Sequence, residues 1–133
     1  MFGRRNDSGP SGQIDSLIGA GTRIEGDVLF AGGLRIDGEV VGNIKAAEGA
    51  ASSTLVISEK ARVEGGVEVA HLVINGTVVG QVVVGDSLEM QSHARIVGDV
   101  EYAVIEMHQG AVIDGRLLHR GANSTELKSP SQN

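Results

Sequence analysis

A glycine returns at a near-constant interval through the middle of this chain, at Gly26, Gly42, Gly65, Gly80, Gly98 and Gly115. The steps between them are 16, 23, 15, 18 and 17 residues. Aliphatic residues flank each one, as in TRIEGDV (22–28), ARVEGGV (61–67), ARIVGDV (94–100) and AVIDGRL (111–117). A longer phrase occurs twice, IDGEVVGNI at 36–44 and INGTVVGQV at 74–82, and adds Gly38 and Gly76. Self-similarity at a fixed period is the signature of a solenoid, in which each repeat stacks on the next.

The period limits what each repeat contains. About 17 residues are too few for two helices with their turns, but they suit three short strands joined by tight corners. Apolar and polar residues alternate around the glycines, as in Arg23-Ile24-Glu25 and Arg35-Ile36-Asp37, so one face turns inward. The glycines supply bends that a side chain would block. Composition agrees, with 17 Val and 10 Ile against 9 Leu, an excess of stiff, β-branched side chains suited to a pleated surface. The expectation is an all-β, single-domain parallel β-helix of about six coils, on the order of 30 Å long at roughly 4.8 Å per coil. The one long step contains AAEGAASS (46–53), read as a loop inserted into a regular unit. The competing reading is a sandwich or barrel of hairpins turning at Asp37-Gly38, Asn75-Gly76 and Asp114-Gly115.

Three zones follow. Residues 1–15 and 121–133 are polar, with too little apolar surface to offset chain entropy, and are read as disordered tails. Residues 16–120 form the β-helix. The first 30 residues lack an apolar stretch long enough for a signal peptide, and nothing approaches a membrane span, so the expected compartment is the cytoplasm.

Little in the sequence points to catalysis. There is no cysteine, which excludes disulfides and thiol chemistry. A net charge of −6 disfavours nucleic acid as a direct partner. The histidines, His71, His93, His108 and His119, are separated by 22, 15 and 11 residues, which match no common metal-ligand spacing. They are read as surface histidines on a polar face, with stacking of His93 and His108, nearly one period apart, on adjacent coils as the alternative. Glu25, Asp37, Glu64, Asp99 and Asp114 are read as one repeated acidic surface beside the glycines. No catalytic, cofactor-binding or metal-ligating residue is expected, and the chain is not expected to be an enzyme. Two alternatives stand beside this. One is a hexapeptide-repeat acyltransferase, because Ile18, Ile24, Phe30 and Ile36 are spaced by six, a register that fails at Gly42. The other is a monomeric module showing its acidic face to a protein partner.

The ends of the repeat carry the functional argument. It begins within a few residues of one tail and stops just before the other, with no amphipathic helical stretch to cap it. Uncapped coils present unpaired strand edges and apolar cross-sections, which are templates for another copy. End-to-end self-assembly is therefore expected through Leu17, Ile18, Ile24 and Phe30 of the first coil and Val112, Ile113, Leu117 and Leu118 of the last.

With these residues in view, the chain resembles the bactofilins, bacterial cytoskeletal proteins. The resemblance rests on SLIGAGTRIEGDVLFAGGLRIDGEVVGNI (16–44) and TLVISEKARVEGGVEVAHLVINGTVVGQV (54–82), and on the motif I-[DN]-G-x-V-x-G-x-[IV] occurring twice. It implies a right-handed β-helix with disordered tails and cofactor-free, nucleotide-independent filaments joined like end to like end, hence non-polar. It further implies a scaffold on the inner face of the cytoplasmic membrane that recruits cell-envelope or cell-shape proteins. Family members often carry an aromatic residue in the final coil that matters for polymerisation. This chain has no Phe, Tyr or Trp after Tyr102, so Leu117 and Leu118 take that role. The start, Met1, Phe2, Gly3, Arg4 and Arg5, resembles the family's membrane-targeting sequence. The physics agrees: Met1 and Phe2 insert at the headgroup boundary, and Arg4 and Arg5 attract anionic lipid at about 1 kcal/mol each. A filament multiplies such weak anchors by avidity. Phe at position 2 excludes N-myristoylation.

Overall fold

A computed structural model describes residues 14–47 and 53–120. Sixteen strands run through them, every pairing is parallel, and no helix occurs among the described residues. The absence of any antiparallel pair removes the hairpin alternative. Asp37-Gly38 and Asn75-Gly76 are corners between successive walls of a coil.

The strands form three walls. The first holds β1 (Ser16–Ile18), β4 (Gly33–Ile36), β7 (Thr54–Ile57), the second halves of β9 (Val67–Ile74) and β11 (Val82–Met90), and β14 (Val104–Met107). The second holds β2 (Arg23–Glu25), β5 (Glu39–Val41), β8 (Arg62–Glu64), β10 (Thr77–Val79), β12 (Arg95–Val97) and β15 (Val112–Asp114). The third holds β3 (Val28–Phe30), β6 (Ile44–Ala46), the first halves of β9 and β11, β13 (Val100–Tyr102) and β16 (Leu117–His119). The described residues thus wind through six coils.

Register stacks like on like inside. Ile24, Val40, Val63, Val78, Ile96 and Ile113 form one inward column, and Val28, Ile44, Val67, Val82, Val100 and Leu117 another. The first wall adds Leu34, Leu55, Leu72, Leu88 and Ile105, with Ile36, Ile57, Ile74, Met90 and Met107 beside them. Except at the end coils these residues are buried in one continuous core. β-Branched side chains suit such columns because one fixed rotamer repeats coil after coil. The six-residue spacing of Ile18, Ile24, Phe30 and Ile36 is the step from one wall to the next, first to second to third and back to first. It stops at Gly42, which stands at a corner.

The glycine column occupies the corner between the second and third walls. Gly26, Gly42, Gly65, Gly80 and Gly98 have φ between 140° and 153°, which side-chain-bearing residues rarely adopt. A Cβ at Gly80 would also strike the Gly65 carbonyl oxygen beneath it, and the same collision recurs at Gly42, Gly65, Gly98 and Gly115. The next residue often ties successive coils together. Asn43 N–H donates to the Asp27 carboxylate (3.0 Å), Gly66 N–H to the Asn43 side chain (2.8 Å), and Arg116 N–H to Asp99 (3.0 Å).

The corner between the first and second walls comes in two lengths. It has four residues in coils 1, 3, 5 and 6, and two in coils 2 and 4, where Asp37-Gly38 and Asn75-Gly76 stand. Gly38 lies against the Gly19 and Thr22 carbonyls of the longer corner before it, and Gly76 against those of Ser58 and Ala61. The twice-written phrase therefore marks short corners, which explains an echo two coils apart. The long step falls between β6 and β7, where AAEGAASS was expected to be inserted; residues 48–52 of it lie outside the described residues.

One sequence expectation is corrected by this register, and one alternative is removed. The five acidic residues are not equivalent: Glu25, Glu64 and Asp114 precede the column glycine, Asp37 sits in a short corner, and Asp99 follows its glycine. His93 and His108 do not stack either. Pairing of Met90 with Met107 aligns His108 with Gln91, while the His93 backbone N–H donates to the Asn75 side-chain oxygen (2.8 Å).

Candidate polymerisation surfaces

Strands β1, β2 and β3 at one end, and β14, β15 and β16 at the other, have a pairing partner on one side only among the described residues. Among the described residues their outer edges meet no further strand, and such edges favour pairing with another strand.

The two ends differ in what surrounds those edges. In the first coil, Ile18 and Phe30 are buried and Ile24 is half-buried, whereas Leu17 and Leu29 are 61% and 69% exposed. By register Leu17 and Leu29 belong to outward columns, opposite Arg35 and Lys45. The sequence-selected set at this end thus divides into core residues and one outward leucine, with Leu29 a further apolar residue the sequence reading passed over.

In the last coil the core itself reaches solvent. Leu117 (48% exposed) and Met107 (43%) continue inward columns, with half-buried Ile105 and Ile113. Val112 and Leu118 are exposed in outward columns, at positions that Arg95 and Glu101 occupy one coil earlier. His119 also lies here. Its ring stands 5.5 Å from that of Tyr102 at 52°, and its Nε2–H donates to the Ala103 carbonyl (3.0 Å). Reading from Phe, Tyr and Trp alone missed His119; adding one period of 17 to Tyr102 would have found it.

Charges lie on the walls. Arg23 pairs with Glu25 and Glu39, Arg35 with Asp37, Arg62 with Glu64, Arg116 with Asp99 and Arg120 with Glu101, at 2.8–3.3 Å. The Arg116 N–H and guanidinium hold the Asp99 carboxyl below the usual carboxylate range, as do the Ser58 hydroxyl and Arg35 for Asp37. Such a surface directs burial to the ends. No helix among the described residues is long and apolar enough to cross a membrane.

The bactofilin family model, described as polymer-forming cytoskeletal, matches residues 16–118. The chain belongs to the bactofilin family. Among curated bactofilins, BacO of Myxococcus xanthus (strain DK1622) is 29% identical over 103 residues, covering 77% of this chain and 78% of the relative. BacP of the same organism is 26% identical over 110 residues, covering 83% of this chain but 44% of the relative. No solved structure matches significantly. The bactofilin match spans all sixteen strands but for the last residue of β16. The chain is thus of a polymer-forming cytoskeletal kind, structural in its role, and its foremost partner is another copy of itself.

Proposed function

We propose that this bactofilin assembles end to end, coil upon coil, into nucleotide-independent, non-polar filaments that scaffold cell-envelope or cell-shape proteins at the inner face of the cytoplasmic membrane. One observation carries the assembly mode: the core columns ending in Ile105, Met107, Ile113 and Leu117 run into solvent beside the free edges of β14, β15 and β16. Covering them with a second copy buries apolar area at about 25 cal/mol per Å² and satisfies backbone groups together.

The inequality of the ends supports like-to-like joining. An apolar, self-complementary last coil gains most by meeting its own kind, and a two-fold contact of that sort gives a filament without polarity. On this reading Val112, Ile113, Leu117 and Leu118 form one joint, and Leu17, Ile18, Ile24 and Phe30 belong to the other. Residues 16–120 are the polymerising domain. The membrane anchor, Met1, Phe2, Gly3, Arg4 and Arg5, lies outside the described residues, as do both tails; its support is the apolar-basic pairing and its repetition along a filament. Client proteins would be met by the tails or the charged walls.

Electron microscopy of the purified chain without nucleotide tests the proposal. Filaments are expected; a stable monomer at high concentration overturns it.

A further inference from the structure

The parallel register sets two glutamates side by side on the outer surface of the first wall. Glu89 of β11 and Glu106 of β14 are direct partners, and His108, just beyond β14, turns its Nε2 to both carboxylates, 3.4 Å from Glu89 and 3.1 Å from Glu106. One oxygen from each glutamate and one ring nitrogen all lie within 4.8 Å of one another.

Like charges directly across adjacent strands are destabilising. The carboxylates Glu25, Glu39, Asp37, Glu64, Asp99 and Glu101 each have an arginine for partner. Glu89 and Glu106 have none among the described residues; His108 pairs with both, and the Gln91 side-chain amide donates to the same Glu89 oxygen at 3.4 Å. A divalent cation would relieve this repulsion, and the spacing suits one. Metal–ligand distances of about 2.0–2.1 Å at tetrahedral angles put ligand atoms roughly 3.3 Å apart, against the 3.1 and 3.4 Å found here. The other histidines meet fewer carboxylates: His71 has Asp86 (3.6 Å) and His93 has Glu59 (3.7 Å).

We infer that Glu89, Glu106 and His108 form a binding site for a borderline divalent ion of the zinc class, bridging the fifth and sixth coils. An imidazole with two carboxylates favours such an ion over magnesium, which prefers an all-oxygen octahedron and keeps its waters. With three side chains on one exposed wall, water completes the coordination. The ion would pin the last coil, whose outer edge is free, to the coil beneath it.

The signal was present in the sequence but needed the register to be read. Glu106-x-His108 puts two side chains on one face of the chain, and Glu89 stands 17 residues earlier, one coil below.

Calorimetric titration of the chelator-treated full chain with zinc chloride tests the site. A single zinc ion per chain is expected, undisplaced by excess magnesium. His108→Gln and Glu106→Gln should each weaken binding by about ten-fold or more, while His93→Gln leaves it unchanged. Both substituted side chains are on the surface, so circular dichroism should show the variants folded. Absence of saturable binding, equal binding by His108→Gln, or loss of binding in His93→Gln overturns the assignment.

Discussion

His119 packs in a tilted contact on Tyr102 one coil below it, with ring centroids 5.5 Å apart. The two are register partners. The last coil therefore ends in an exposed ring over a half-buried one, beside Leu117. An assembly joint at this face would cover all three.

Leu117→Lys should abolish filaments, because a charge taken into an apolar joint without a partner costs several kcal/mol. Its effect on the unassembled chain should stay within about 0.5 kcal/mol, since Leu117 already meets solvent. His119→Ala should raise the concentration needed for assembly without preventing it. Sedimentation and thermal melting by circular dichroism read the two effects separately.

The glycine column predicts a graded stability series. Gly80→Ala adds a strained φ of 152° to a collision with the Gly65 carbonyl, and should cost about 3 kcal/mol. Gly26 has a similar φ of 140°, but nothing lies within 4 Å of a Cβ built there. Gly26→Ala should therefore cost less, about 1–2 kcal/mol. Denaturant unfolding of the two variants checks the order.

That series also shows how far the sequence could be read. The column from Gly26 to Gly115 was legible because a close approach of backbones recurs at the corner between the second and third walls. Ile24 and Ile36 were legible as inward-facing because alternation marks them. What stayed hidden depends on register. The exposure of Leu29 and the meeting of Glu89, Glu106 and His108 arise from which residues stand above one another, and corners of two and four residues shift that count. Ile18 and Phe30, read as end-coil residues that serve core and interface alike, are buried, and sequence does not say which residues of an end coil its one packed side covers.

Asp99 sets an acid limit. Its folded-state pKa is lowered by the Arg116 N–H and guanidinium. Its contribution is thus fully present above the unfolded carboxylate value of about 3.9 and is lost as pH falls through the lower folded value. Asp99→Asn removes that dependence while leaving an acceptor for the Arg116 N–H. Melting temperatures measured downward from neutral pH should fall less steeply below about pH 4 in this variant than in the parent.

Phe2→Glu should release filaments from anionic liposomes, and added salt should weaken lipid binding more than assembly, because only the former is largely electrostatic. Co-sedimentation with vesicles measures both; unchanged lipid binding of the variant would remove the anchor from the proposal.

Joining through the last coil is tested most directly by covalent trapping. The chain has no cysteine, so Leu118→Cys places a unique thiol beside the proposed joint. Assembled Leu118→Cys protein treated with a short bismaleimide should run as a covalent dimer in high yield. Intact filaments that yield only monomer would contradict a joint in which last coil meets last coil.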